Sequence, residues 1–133
     1  MFTRRLLLAL SLLLHAGAIS AAVIHVPVDQ PTIQGAVDAA SAMDTILIAP
    51  GSYAEAVDFL GKSVKVLGAG ATPDEVIVLG PVDGGDSPIS FRNGEDQEAV
   101  LANLTITGWS GQVPPALLCS DASPRIEEVI FLA

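Results

Sequence analysis

Apolar residues recur at alternate positions in eight short segments of the chain, the spacing that places two side chains on one face of a β-strand. The pairs are Ile46/Ile48, Val57/Phe59, Val64/Val66, Val76/Val78, Ile89/Phe91, Leu104/Ile106, Leu117/Cys119 and Val129/Phe131. Glycine and proline are scattered between these segments, as expected where turns join short strands. The pattern predicts a mostly β protein.

The first positions of the pairs form two interleaved series with similar periods of 25 to 30 residues. They are Val64, Ile89 and Leu117 in one series, and Ile46, Val76, Leu104 and Val129 in the other. Two columns of strands in successive coils would produce this repeat. We therefore predict a right-handed parallel β-helix of about three coils. An antiparallel sandwich is the alternative, although its strands need not keep a common period.

A short segment ahead of the first pair has helical spacing. Ile33, Val37 and Ala40 follow one another at intervals of four and three residues, and Thr32 or Asp29 is placed to cap the first turn. We predict a helix over residues 32 to 42, preceded by a short strand. Such a helix would lie across the first coil and shield its hydrophobic end from water.

The first 22 residues have the pattern of a secretory signal peptide. Arg4 and Arg5 precede an apolar stretch from Leu6 to Leu14, and small residues follow up to Ala22. The apolar stretch is shorter than the ~20 residues that span a bilayer. We predict a signal peptide over residues 1–22, no membrane span after cleavage, one β-helix domain over residues 23–133, and an extracellular, periplasmic or cell-surface location.

The chain is acidic and has a single cysteine. Fifteen acidic residues against six Lys and Arg give a formal charge of −9, which becomes −11 when Arg4 and Arg5 leave with the signal peptide. Nucleic acids and anionic membranes favour basic partners, so neither is expected to bind. Cys119 cannot form an intramolecular disulfide, and its strand position predicts a packed thiol rather than a nucleophile.

Three blocks carry a resemblance to a known family. PTIQGAVDAA, DTILIAPGSYAEAVDF and GKSVKVLG are similar to the amino-terminal coils of secreted right-handed β-helix proteins of the pectin-lyase-like superfamily, in its uncharacterised branch. The resemblance covers roughly Ile24 to Phe131 and implies the fold. It implies no catalytic residue, because the enzymes of this superfamily carry their catalytic groups on later coils. Asp96-Gln97 holds the residues of the esterase dipeptide in reverse order.

Two functions remain open at this stage. The first is a non-enzymatic module that presents a surface for polysaccharide or protein contact. The second is the amino-terminal fragment of a pectinesterase-like or lyase-like enzyme whose catalytic coils are absent. Whether the chain has enzymatic activity is uncertain, and no cofactor is expected.

A few residues are candidates for chemistry. Asp83, Asp86 and Asp96 lie in two acidic turns that would supply oxygen ligands to calcium, although such residues are also the usual residues of tight turns. Trp109 begins a loop and is the candidate for stacking on a sugar ring. Tyr53 follows the Pro50-Gly51 turn, and we expect it to have a structural role rather than to bind a sugar.

Other polar residues are expected to have no catalytic or metal role. Asp44, Glu55 and Asp58 are close in sequence, but solvation of an exposed loop is a better explanation for them than glycoside hydrolysis. His25 has no second ligand at metal-binding spacing. Asn103-Leu104-Thr105 matches a glycosylation sequon.

The chain ends directly after a predicted strand, with no capping helix. An open solenoid end exposes unpaired backbone groups and apolar side chains. We expect either a truncated β-helix whose coils continue in a longer protein, or a small protein that associates end to end.

Overall fold

The computed structural model describes residues 20–81, 85–108 and 115–132. Its parallel strands wind into a β-solenoid of about four turns with one short helix. The strands are β1 Val23–Val26, β2 Thr45–Ile48, β3 Gly51–Ala54, β4 Val57–Asp58, β5 Lys65–Gly68, β6 Val76–Leu79, β7 Ile89–Phe91, β8 Val100–Thr107, β9 Leu117–Cys119 and β10 Arg125–Leu132. The predicted parallel β-helix with an amino-terminal helix is confirmed, with about four turns instead of about three coils.

The strands stack in three columns rather than the predicted two. The first column contains β1, β2, β5 and the first parts of β8 and β10. The second contains β3, β6 and the last parts of β8 and β10. The third contains β4, β7 and β9. The first two columns form one seven-stranded sheet, because β8 and β10 continue through the corner between them.

The column count differs because the turns vary in length. Successive strands of the first column, β2, β5, β8 and β10, begin 20, 35 and 25 residues apart. The sequence predicts Ile46 beside Val76, but Ile46 pairs with Val66. Because loop length changes from coil to coil, strands that pair are not separated by one common number of residues.

The predicted series of Val64, Ile89 and Leu117 is confirmed in part. Ile89 pairs with Leu117, as the sequence predicts. Its neighbour in the preceding coil is Val57, however, and not Val64. Val64 lies one residue before β5, at the start of the first column.

The core consists of inward side chains stacked along the solenoid axis. Ile46, Val66 and Leu101 form one such row, and each is no more than 1% exposed. In the third column the rings of Phe59 and Phe91 lie with their centroids 4.2 Å apart. Burial of these inward rows is the main source of stability, because the chain has no disulfide that would add to it.

The helix α1 spans Ile33–Ala39 and occupies part of the first turn. Thr32 is its N-cap, since its side chain accepts the N–H of Gly35 at 3.0 Å. The helix ends three residues before the predicted Ala42, because Ala40 already has an extended backbone. The apolar face is confirmed by the burial of Ile33, Val37 and Ala40. Across the described ranges, no helix is both long and apolar enough to cross a membrane.

Asn103 forms the corner between the first and second columns. Its φ of 57° is left-handed, and its side-chain amide donates to the carbonyls of Gly68 and Gly70 in the preceding coil, both at 2.9 Å. Gly68, the last residue of β5, has no left-handed φ. It is glycine because a Cβ there would lie 1.9 Å from the backbone oxygen of Asn103. Gly108, directly after β8, does have a left-handed φ, of 81°.

We expect Asn103→Asp to lower the free energy of unfolding by about 2 kcal/mol, since the carboxylate loses both donors and faces two carbonyl oxygens. Urea unfolding followed by circular dichroism measures the change. Asn93→Asp is the matched control, because among the described residues the exposed Asn93 amide donates to Asp58 alone, at 3.4 Å. Equal losses for the two variants would contradict the corner role of Asn103.

Candidate functional site at the carboxyl-terminal end of the solenoid

At the amino-terminal end of the solenoid, the outward backbone groups of His25 on β1 are paired within its own turn. The N–H of His25 donates to the carboxylate of Asp29 at 2.8 Å, and the carbonyl of His25 accepts the N–H groups of Asp29 and Gln30. The bond from His25 holds the pKa of Asp29 below its ordinary value. This pairing is therefore present at neutral pH and is lost only as the pH falls through that lowered pKa. The outer edge of β1 has no free backbone group at His25.

A glutamine side chain covers the amino-terminal edge of the third column. The Gln34 amide oxygen accepts the N–H of Asp58 at 2.7 Å, and its nitrogen donates to the carbonyl of Asp58 at 3.1 Å. These are the two bonds that a neighbouring strand would make. The Gln34 side chain thus takes the place of a strand beside β4.

Two charged residues fix the helix that carries Gln34. Glu55 accepts the first N–H groups of α1, those of Ile33 at 3.1 Å and Gln34 at 2.7 Å. At the other end, the Lys62 ammonium donates to the carbonyls of Val37, Asp38 and Ala40 at 2.7 to 2.9 Å. Both charges have the sign that the helix dipole favours.

The carboxyl-terminal end has no comparable cover among the described residues. There β9 pairs only with β7, and β10 pairs only with β8. Four of the five apolar residues of β10 are accordingly exposed, by 38% at Ile126 and Ile130, 45% at Phe131 and 52% at Leu132, while Val129 is partly buried. We call β9 and β10 together the carboxyl-terminal end.

Ile126 carries the free backbone groups at the centre of this edge. The N–H of Arg125 donates to the carbonyl of Ala99 in the preceding coil at 2.9 Å. Successive residues of a strand direct their backbone groups to opposite sides. The N–H and C=O of Ile126 therefore point away from β8, along the solenoid axis.

Opposite charges flank Ile126. The guanidinium of Arg125 donates to the carboxylate of Glu127, and the two side chains are 56% and 49% exposed. Glu128 follows with a left-handed φ of 50°, at the corner position that Asn103 holds one coil earlier. The edge thus offers a short strand with alternating charge on its outer face and isoleucine on its inner face.

The described structure does not test the proposed calcium site. Asp83 lies outside the described residues. Asp86 is exposed, while Asp96 accepts hydrogen bonds from Ser63 at 3.1 Å and from the N–H of Glu98 at 3.0 Å. In the three described ranges, no group of three or more His, Cys, Asp or Glu residues is placed to hold a metal ion. The calcium site stays a prediction.

The sugar-stacking candidate Trp109 also lies outside the described residues, so that role stays a prediction. Tyr53 has the structural role expected of it, since its hydroxyl donates to the carbonyl of Ala49 at 2.7 Å. Burial, followed by the charge of Glu55, raises the pKa of Tyr53. His25 points out of the sheet and its ring contacts only Asp29, at 3.1 Å, among the described polar groups.

The three acids attributed to loop solvation have specific structural roles instead. Asp44 is 7% exposed and accepts the N–H groups of Ala22 and Ser41, which hold its pKa below the ordinary value. Glu55 caps α1, as described above. Asp58 accepts the N–H of Leu60 at 2.8 Å and pairs with Arg92 at 3.0 Å. Each carboxylate therefore satisfies named partners and does not merely face water.

Cys119 is exposed, contrary to the packed thiol that its strand position predicts. It stands in the row of Phe59 and Phe91, but it belongs to the last strand of the column and nothing described lies beyond it. Its Sγ lies 3.3 Å from the carbonyl of Ala122. The thiol is thus part of the carboxyl-terminal end.

No family model matches the chain, and neither the curated proteins nor the solved structures contain a significant match to it. The chemistry of the carboxyl-terminal end must therefore be judged from its own residues. An apolar surface with unpaired strand groups favours contact with a polypeptide, because only a backbone supplies donors and acceptors at strand spacing.

Proposed function

We propose that the chain is a non-catalytic β-helix module that contacts another polypeptide through its carboxyl-terminal end. The observation that carries this proposal is the contrast between the two ends. The backbone groups of His25 and Asp58 are covered at one end, whereas Ile126 has free groups beside exposed apolar side chains at the other. Proteins normally protect strand edges, so an edge left free beside an apolar surface is a binding surface.

Strand addition is the binding mode that this end supports. A partner strand would receive main-chain hydrogen bonds from Ile126 and pack apolar side chains against Phe131 and Leu132. Polysaccharide contact rested on Trp109, and no described residue adds to it. Export and membership of the pectin-lyase-like superfamily stay predictions from the sequence, as does the alternative of an enzyme fragment.

A strand-forming probe peptide tests the proposal. We expect a soluble peptide of alternating Val and Thr with Lys at both ends, added to about 10 µM labelled protein, to shift the amide NMR signals of residues 117–119 and 125–132. Signals of His25 and Asp58 should not move, because their outward backbone groups are already paired. Ile126→Pro should reduce the response about tenfold, because proline removes the free N–H but none of the bonds to β8.

Two results would contradict this function. One is the absence of shifts at about 1 mM peptide, because a dissociation constant above this concentration would be weak even for strand addition. The other is equal shifts at β1 and β10, which would show unspecific adhesion. Val28→Ala is the control variant, since Val28 is 83% exposed and lies at the amino-terminal end. It should leave peptide binding unchanged.

A further inference from the structure

We infer that the polypeptide which occupies the carboxyl-terminal end is a second copy of this chain, joined through antiparallel pairing of β10 with the partner's β10. The inference rests on the proposed function and names its partner. The pairing centres on Ile126, where a two-fold axis would relate the copies.

In two of the three columns the amino-terminal end offers only paired backbone groups at His25 and Asp58 to a copy stacked head to tail, although β3 pairs with β6 alone among the described strands. A copy stacked head to tail would have to pair its β1 with β10, but the outward groups of His25 on β1 are already bonded to Asp29 and Gln30. Its third column is closed by Gln34. Two carboxyl-terminal ends can meet only face to face, which gives a closed dimer and no fibre.

The backbone of Ile126 suits the two-fold axis. In an antiparallel pair, residues directly opposite each other alternate between those that exchange two hydrogen bonds and those that exchange none. Ile126 has both its N–H and its C=O directed outward, so two Ile126 residues placed opposite each other would exchange two bonds. Their half-exposed side chains would then cover one another.

The flanking charges suit the same register. With Ile126 on the axis, Arg125 of each copy lies opposite Glu127 of the other. Two cross-strand pairs of opposite charge result, and both lie on the outer face of the sheet, where the side chains already point. The segment Arg125-Ile126-Glu127 is therefore complementary to itself in charge as well as in hydrogen bonding.

Charge reversal tests this register. Sedimentation velocity over about 5 µM to 1 mM protein should show a dimer that grows with concentration. Arg125→Glu and Glu127→Arg should each weaken it by about tenfold or more, because each creates two like-charge pairs across the axis. An equimolar mixture of the two variants should form a heterodimer, and the double variant R125E/E127R should dimerise like the original chain.

In the mixture, each variant still lacks the ion pair between residues 125 and 127 of one copy. Recovery of dimerisation there would therefore be due to charge pairs between copies. Melting temperatures should stay close to that of the original chain, since both residues are about half exposed. A monomer at about 1 mM, unchanged dimerisation of both variants, or a mixture that stays monomeric would each overturn the inference. If the probe peptide binds but no dimer forms, the contact function stands and the partner is another protein.

Discussion

Phe91→Ala should lower the free energy of unfolding by about 3–5 kcal/mol, whereas Phe131→Ala should lower it by about 1 kcal/mol. Phe91 is fully buried and stacks on Phe59, so its removal leaves a cavity between two coils. Phe131 faces inward in the last coil, beside Ile106 on β8, but it is 45% exposed. Chemical denaturation followed by circular dichroism measures both changes.

The protein concentration matters for this comparison. The measurement belongs at about 1 µM, where a weak dimer has dissociated and Phe131 is exposed. Suppose that, at this concentration, Phe131→Ala lowers the free energy of unfolding as much as Phe91→Ala does. The carboxyl-terminal end would then be covered, and the assignment of an open edge would be wrong. Phe59→Ala serves as the positive control, because Phe59 is as buried as Phe91.

The repeating part of the fold could be predicted from the sequence. Alternation at Val76/Val78 and Leu104/Ile106 marks inward rows because side chains of a strand alternate between its faces. All four of these residues are buried. The helix position followed from its apolar spacing, and its cap from Thr32. These features depend on residues close in sequence, where local geometry determines structure.

The number of columns and the state of the ends could not be predicted in the same way. Column neighbours depend on loop length, and one coil of this chain is 35 residues long while another is 20. Cys119 has the same strand spacing as Phe91, yet one is exposed and the other buried. Phe91 is buried because another coil follows it in the column, whereas Cys119 lies in the last described coil. The local sequence pattern does not show this difference.

The candidate site also depends on relations that a sequence does not display. The free groups at Ile126 follow from the bond that Arg125 makes to Ala99, which fixes the side to which each residue points. The cover at Asp58 comes from Gln34, which is 24 residues away. The only local signal was the alternation of Arg125, Ile126 and Glu127, and its meaning requires knowing that β10 is an edge.

Glu95→Ala should lower the free energy of unfolding by roughly 2–5 kcal/mol, since it leaves two backbone donors without their acceptor. Glu95 is only 1% exposed although it lies in a turn of polar residues. Its carboxylate accepts the N–H of Gly61 in the preceding coil at 2.8 Å and that of Asn93 at 2.9 Å. Its backbone carbonyl accepts the N–H of Ser123 in the next coil at 2.8 Å. Glu95 therefore joins three successive coils on one side of the solenoid.

Glu98→Ala is the matched control for this loss, because Glu98 is exposed in the same turn and, among the described residues, is bonded only through its backbone N–H. It should change stability by less than about 0.5 kcal/mol. Glu95→Gln should fall between the two, because the amide oxygen satisfies one N–H while the amide nitrogen faces the other. If Glu95→Ala and Glu98→Ala unfold at the same urea concentration, the coils are held by their stacked strands alone and the carboxylate link does not contribute to stability.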